Sequence, residues 1–295
     1  MDFELLLNEI LLDLFDYFDG IDLLRAFYSL NYRFNDLLYN QFRLYRFNFS
    51  SISKRDFDMI CQQHLPFITQ RVISLSLTDN YDIPEQANFF LSYIPPSNHF
   101  IHLQLLSVEG FRSCRTLMKI LDEYDHSCNL TYLTINSYNC GANQILLDRA
   151  PNLRCLDIRQ DESLSLQMSL FQYRTSLVRQ LDFRGYNYYV NEEECIRLCH
   201  SSLCIQCEVL FIRIKSRHST IYLVKNMINL RSLHVKRDDE KYHKRLATAK
   251  NNNDKYRDEN VENEEELIEW LKDPLPSTCL FSKSAHFPSD IVIWI

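Results

Sequence analysis

The sequence predicts an α/β chain: short parallel strands with one helix between each pair, preceded by a small three-helix module. Three observations carry this. A short apolar pattern recurs along the body, the first 40 residues follow a different, helical period, and glycine is nearly absent. The 295 residues contain four glycines, Gly20, Gly110, Gly141 and Gly185, and no two of them are close in sequence. A phosphate loop or dinucleotide fingerprint needs several glycines together, so that backbone without Cβ atoms can approach phosphate. The common nucleotide-binding folds are thereby excluded. Hydrophobic residues at 46% and charged residues at 24% are ordinary for a globular chain.

The repeated pattern is apolar, two residues, apolar, one residue, apolar. It occurs as Leu44/Phe47/Phe49, Val72/Leu75/Leu77, Leu103/Leu106/Val108 and Leu130/Leu133/Ile135. It continues as Leu153/Leu156/Ile158, Val178/Leu181/Phe183, Val209/Ile212/Ile214 and Leu230/Leu233/Val235. The central residues lie 28, 31, 27, 23, 25, 31 and 21 positions apart. Alternate side chains of a strand point to one face, so each triplet reads as a strand with its apolar side inward. The intervals leave room for one helix. Thr116–Tyr124 carries Leu117, Ile120, Leu121 and Tyr124 at helical spacing, and Glu192–Leu203 carries Cys195, Ile196, Cys199 and Leu203. Such units bury their apolar faces only by stacking, which predicts a repeat array.

The triplets resemble the leucine-rich repeat, whose unit begins Leu-x-x-Leu-x-Leu. The resemblance implies an irregular solenoid over residues 43–235, with a concave face made by the strands. The family's usual asparagine survives only as Asn80. Residues 236–263 are largely charged and read as an exposed insertion. Glu264–Lys272 then reads as a helix with Leu267, Ile268 and Leu271 inward and Pro274 stopping it, and Ile291–Ile295 as a final strand capping the core.

Residues 1–42 form the other module. Ile10, Leu11, Leu14, Phe15 and Phe18 make a helical stripe, and Gly20 is placed to end that helix. A second helix is expected from about Asp22, with Leu23, Leu24 and Phe27 inward, and a third with Phe34, Leu37 and Leu38. This stretch resembles the F-box. Leu6-Leu7-Asn8-Glu9-Ile10-Leu11, then Leu14-Phe15, Tyr17-Phe18-Asp19, Asp22-Leu23-Leu24-Arg25, Leu30-Asn31-Tyr32-Arg33-Phe34 and Leu37-Leu38 follow the family's order and spacing. Leu7 replaces the family's proline, and Phe34 stands where many members carry tryptophan.

The F-box resemblance implies a substrate receptor of a Skp–cullin–F-box (SCF) ubiquitin ligase, with no chemistry of its own. It would hold the Skp adaptor and, through it, a cullin, while the repeats hold an unknown target protein. Acceleration then comes from raised local concentration. The positions matching the family's adaptor contacts are Leu6, Leu7, Ile10, Leu11, Leu14, Phe15, Leu23, Leu24, Leu30 and Phe34. Some must be intramolecular core, and the sequence does not separate the two sets. The alternative is a repeat-based interaction scaffold whose N-terminal helices only cap the array.

The repeats also suggest a target face. In the triplet alignment, the residues just past the last apolar position run to Arg159, Arg184, Lys215 and Lys236, with Arg213 between the last two apolar positions of its unit. This basic column has two readings: a ridge for an acidic or phosphorylated segment, or a solvated face paired with Asp157, Asp182 and the acidic insertion. The sequence favours the second.

The remaining expectations are negative. The net charge of −7 is local: residues 1–24 hold seven acids and no Lys or Arg, which leaves the rest balanced. That is not a nucleic-acid footprint. No apolar run is long enough for a bilayer, and the N-terminus lacks the charged start of a signal peptide. The ten cysteines are therefore expected to be reduced thiols in the cytoplasm or nucleus. Cys195, Cys199, Cys204 and Cys207, with His200, have zinc-like density, but two sit on an inward helical stripe, so core thiols are expected there. No esterase elbow, metalloprotease pair or phosphate loop is present, so no enzyme, cofactor or metal is expected, and no homo-oligomer.

Overall fold

The computed structural model describes residues 3–79, 83–94, 100–111, 129–137, 150–159, 177–185, 189–237, 260–283 and 290–295. The chain forms two compact units, Met1–Leu153 and Arg154–Ile295. Both are mixed α/β with mostly parallel strands.

The first unit opens with the helical module. A 3-10 turn, Phe3–Leu5, leads into α1, Asn8–Phe15. Helix α2 is Gly20–Phe27, and α3 is Tyr32–Asp36, continued by a wider turn through Gln41. Asp19 caps α2 by accepting from the Ile21 N–H at 2.8 Å, and Asn31 caps α3 by accepting from Phe34 at 3.1 Å. Gly20 therefore starts the second helix and does not end the first, which stops at Phe15. The reason is packing: a Cβ on Gly20 would lie 2.7 Å from the Phe47 ring and 2.9 Å from the Arg46 carbonyl. Only glycine lets the start of α2 sit this close to the first strand.

The module's core is aromatic. Phe15 meets Phe27 at 4.9 Å and Phe42 at 5.9 Å, and Phe27 meets Phe34 at 5.5 Å. The stacked rings of Tyr45, Phe47 and Phe49 extend this packing along the first strand.

Strands β1 (Tyr45–Asn48), β2 (Val72–Thr78), β3 (Leu105–Phe111) and β4 (Tyr132–Ser137) pair in parallel in that order. Phe47, Leu75, Leu106 and Leu133 stand in one register row, so the central residues of the first four triplets are aligned. Leu44 is the exception to inward packing. It is 42% exposed, and Tyr45 is buried in its place, its hydroxyl donating to the Leu38 carbonyl at 2.7 Å. Between β1 and β2, α4 (Lys54–Met59) passes through a wide turn, Ile60–His64, into α5 (Leu65–Ile68). Helix α6, Gln86–Tyr93, follows β2 and packs on it.

In the second unit, β5 (Cys155–Arg159), β6 (Gln180–Asp182), β7 (Val209–Ile214) and β8 (Ser232–Arg237) pair in parallel. Here one triplet is corrected. Leu210, not Ile212, stands in register with Leu181 and Leu233. The seventh unit is thus Cys207/Leu210/Ile212, with all three buried. The expected triplet lay two residues too far along, because Val209, Ile212 and Ile214 satisfy the same spacing.

Helices α7 (Glu192–Cys199) and α8 (Ser202–Ile205) replace the single helix expected over 192–203. Ser201 ends the first and caps the second. Cys195, Cys199 and Leu203 are buried as expected, whereas Ile196 is exposed. Helix α9, Arg217–Asn226, packs on α7, β7 and β8. Helix α10 runs Asn260–Lys272, starting earlier than expected, with Leu267 and Leu271 buried. The chain then adds β9 (Leu280–Lys283) and β10 (Ile291–Trp294), the latter antiparallel between β8 and β9. The sequence reading had no β9. The helix expected over Thr116–Tyr124, Asn80 and most of the charged insertion lie outside the described residues.

Candidate interaction surfaces

The ten positions read as adaptor contacts fall into two groups. Leu11, Phe15, Leu23, Leu24 and Phe34 are buried and belong to the module's own core. Leu6 and Leu14 are half-buried. Leu7, Ile10 and Leu30 are 66%, 49% and 59% exposed. Outside the ten, Phe3, Leu5, Tyr17, Tyr28 and Tyr32 are exposed as well.

Polar fastening holds part of this group together. The Arg33 guanidinium donates to the Asn8 side chain at 2.8 Å, to the Glu4 carbonyl at 2.7 Å and to the Leu6 carbonyl. Asn31 donates to the Glu4 carboxylate at 2.9 Å. The turn bearing Leu5 and Leu7 is thereby fixed beside the start of α3, where Leu30 and Tyr32 flank Asn31. Ile10 lies three residues after Leu7, on the same side of α1. Leu5, Leu7, Ile10, Leu30 and Tyr32 are thus exposed on segments that these hydrogen bonds tie together.

The opposite attachment is equally specific. Asp19 caps α2 through one carboxylate oxygen and accepts from the Asn48 N–H of β1 through the other, at 3.1 Å. Arg25 pairs with Asp56 of α4. The module is locked to β1 through α2, away from the residues that Arg33 organises.

The second surface is the charged face of β5–β8. The register correction reorders it. Asp157, Asp182, Phe211 and His234 form one row, and Arg213 pairs with Lys236 in the next, so Lys215 falls outside the basic column. Arg184 donates to Asp182 at 2.6 and 3.1 Å and to Asp290 at 3.3 Å, and its guanidinium lies 4.1 Å over the Phe211 ring. Arg159 pairs with Asp157 at 3.1 Å. Burial lifts the Asp157 carboxyl to about 6, against the pull of Arg159. His234 stacks on Phe211 at 4.0 Å, and burial, aided by Arg184, lowers its imidazole to about 4. Arg159 and Arg184 are thus ion-paired with Asp157, Asp182 and Asp290, while most of the acidic insertion lies outside the described residues. The unforeseen participant is Asp290, which precedes β10 and lies 106 positions from Arg184.

The four clustered cysteines pack as neutral thiols. Burial pushes Cys195 and Cys207 up to about 12 and Cys199 to about 11, and raises Cys204 as well. Among the described residues, no group of three His, Cys, Asp or Glu side chains is placed to hold a metal. No helix among them is long and apolar enough to cross a membrane.

Two polar contacts escaped the sequence reading. Asn129 and Asn229, each just before a triplet leucine, donate at 2.7 Å to the carbonyls of Ile101 and Ile205 in the preceding turns. The repeated Asn-Leu dipeptide was the available signal. Compared with known proteins, the chain matches no protein-family model and no curated protein.

Proposed function

We propose that this chain is the substrate receptor of an SCF-type ubiquitin ligase. Its N-terminal helices are an F-box that docks on the Skp adaptor, and its strands are irregular leucine-rich repeats that hold the target. The observation that carries this reading is the exposure of Leu5, Leu7, Ile10, Leu30 and Tyr32 on segments fastened together by Arg33 and Asn31. A small module that fills its own core with aromatic rings and still presents large apolar side chains on fastened segments has a surface suited to a partner. The receptor supplies position and no reacting group, so the rate gain is that of proximity.

A second reading is favoured by a separate observation. Asp19, Gly20 and Phe47 fasten α2 onto the edge strand β1, as a cap on a repeat array requires. Capping and docking use different parts of the module, so the cap does not compete with the receptor role. Co-expression of the full chain with a Skp adaptor, followed by size-exclusion chromatography, separates the two. A stable one-to-one complex supports the receptor. A monomer that ignores the adaptor leaves only the cap, and the protein is then an interaction scaffold.

A further inference from the structure

One cavity in the first unit plays no part in either reading. It lies at the starts of three neighbouring parallel strands and has a volume of about 480 Å³. Small-molecule clefts have this size, and a bare inorganic ion would leave most of it empty. Arg43 precedes β1, Gln70 and Arg71 precede β2, and His102 and Gln104 precede β3. Parallel pairing brings these three strand starts side by side. Leu44 and Ile73 complete the lining.

The lining is largely apolar in area, and its polar residues are two arginines, a histidine and two glutamines, with no acidic residue among them. The Arg71 guanidinium donates through one terminal nitrogen to the Tyr39 carbonyl, which holds the head group in place. A guanidinium has five N–H donors, so most of the fork remains for a ligand. Leu44 adds an independent observation. Its place in the repeat pattern predicts an inward side chain, yet it is exposed and forms part of the cavity wall.

We propose that this cavity binds a small organic phosphate. The phosphate accepts charge-assisted hydrogen bonds from Arg43 and Arg71, which match an anion's oxygens in a fork geometry. The carboxamides of Gln70 and Gln104 orient it, and the organic part lies against Leu44 and Ile73. The same group could be carried by a phosphorylated side chain of another protein. The site does not depend on the adaptor reading: a chain that ignores the adaptor and still binds phosphate keeps it.

The test is isothermal titration of the full chain, at constant ionic strength, with inorganic phosphate, phenyl phosphate and a short phosphoserine peptide. Saturable one-site binding is expected, with phenyl phosphate tighter than inorganic phosphate. Arg43→Glu is expected to weaken it by at least about tenfold, because it removes a hydrogen bond to a charged group and adds a like charge beside the phosphate. Arg43 is exposed, so the melting temperature should not change; if it does, Arg43→Gln carries the same comparison. Leu44→Ser should weaken phenyl phosphate and leave inorganic phosphate unaffected. A phosphopeptide that binds tighter than phenyl phosphate places the group on a protein. Absence of saturable binding by all three probes, or undiminished binding by the Arg43 variant, overturns the proposal.

Discussion

Replacing Leu7 and Ile10 together by aspartate separates docking from folding, because binding is expected to fall steeply while stability stays near that of the parent. Leu7 is the N-cap of α1, and its side chain makes no capping bond. Aspartate is among the best capping residues, worth about 0.5–2 kcal/mol over an apolar one. Ile10 lies in the first turn, where a carboxylate interacts favourably with the helix dipole. The double variant is therefore expected to fold about as well as the parent, the gain at the cap and dipole offsetting the packing lost from the buried parts of the two side chains. Adaptor binding should fall. The two side chains are 66% and 49% exposed, and fully covering an aliphatic side chain contributes about 1.5–3 kcal/mol. Covering their exposed parts is then worth about 2–3 kcal/mol in all, which is roughly a hundredfold in Kd. Urea unfolding gives the first quantity, and titration with the Skp adaptor gives the second. A double variant that binds the adaptor like the parent would refute the assignment of this patch. Phe15→Asp is no substitute for it. Phe15 is fully buried against Phe27 and Phe42, so its loss of binding would report only an unfolded module.

Three further outcomes follow from the packing. Burial raises Asp157 from 3.8 to about 6, so the folded chain prefers it protonated; that contribution is complete below the unfolded value and is lost as the pH rises through about 6. Asp157→Asn stays neutral throughout, so its stability relative to the parent should climb across this window by up to about 3 kcal/mol; a difference that does not vary with pH would contradict the account. Gly20→Ala should destabilise the first unit by about 1–3 kcal/mol through overpacking on Phe47, and unchanged urea unfolding would show that α2 is free to shift. Cys195, Cys204 and Cys207 should resist alkylation in the native chain and react once it is unfolded; rapid native labelling of these three, read by mass spectrometry, would be inconsistent with their burial.

The strands were legible because a period of two, repeated at similar intervals, has few other causes. The error at Ile212 shows the limit. Cys207/Leu210/Ile212 and Val209/Ile212/Ile214 satisfy the same spacing, and only the ladder to Leu181 and Leu233 chooses between them. That two-residue shift moved the expected basic column, placing Lys215 in it and Phe211 outside the row of Asp157, Asp182 and His234. The Arg184–Asp290 pair was illegible for a different reason. It depends on a strand returning antiparallel beside β8, and nothing local to either residue announces it. The cavity at the strand starts likewise exists only because three segments far apart in sequence begin side by side.

The N-terminal module shows why periodicity alone cannot separate buried from exposed apolar side chains. A helical stripe records which residues are apolar, and it treats Ile10 like Leu11 and Leu30 like Phe34. Yet Ile10 and Leu30 stay exposed, while Leu11 and Phe34 fill the core. What distinguishes them here is polar. Arg33 and Asn31 hold the N-terminal turn against α3, so Leu5 and Leu7 cannot fold back onto the aromatic core. Asp19 and Gly20 fix the module's other side to β1. An apolar patch on a mobile segment would collapse inward and gain burial without a partner. Held in place by these bonds, the patch can lose its contact with water only by meeting another molecule, and Arg33→Ala should accordingly weaken adaptor binding although Arg33 itself need not touch the adaptor.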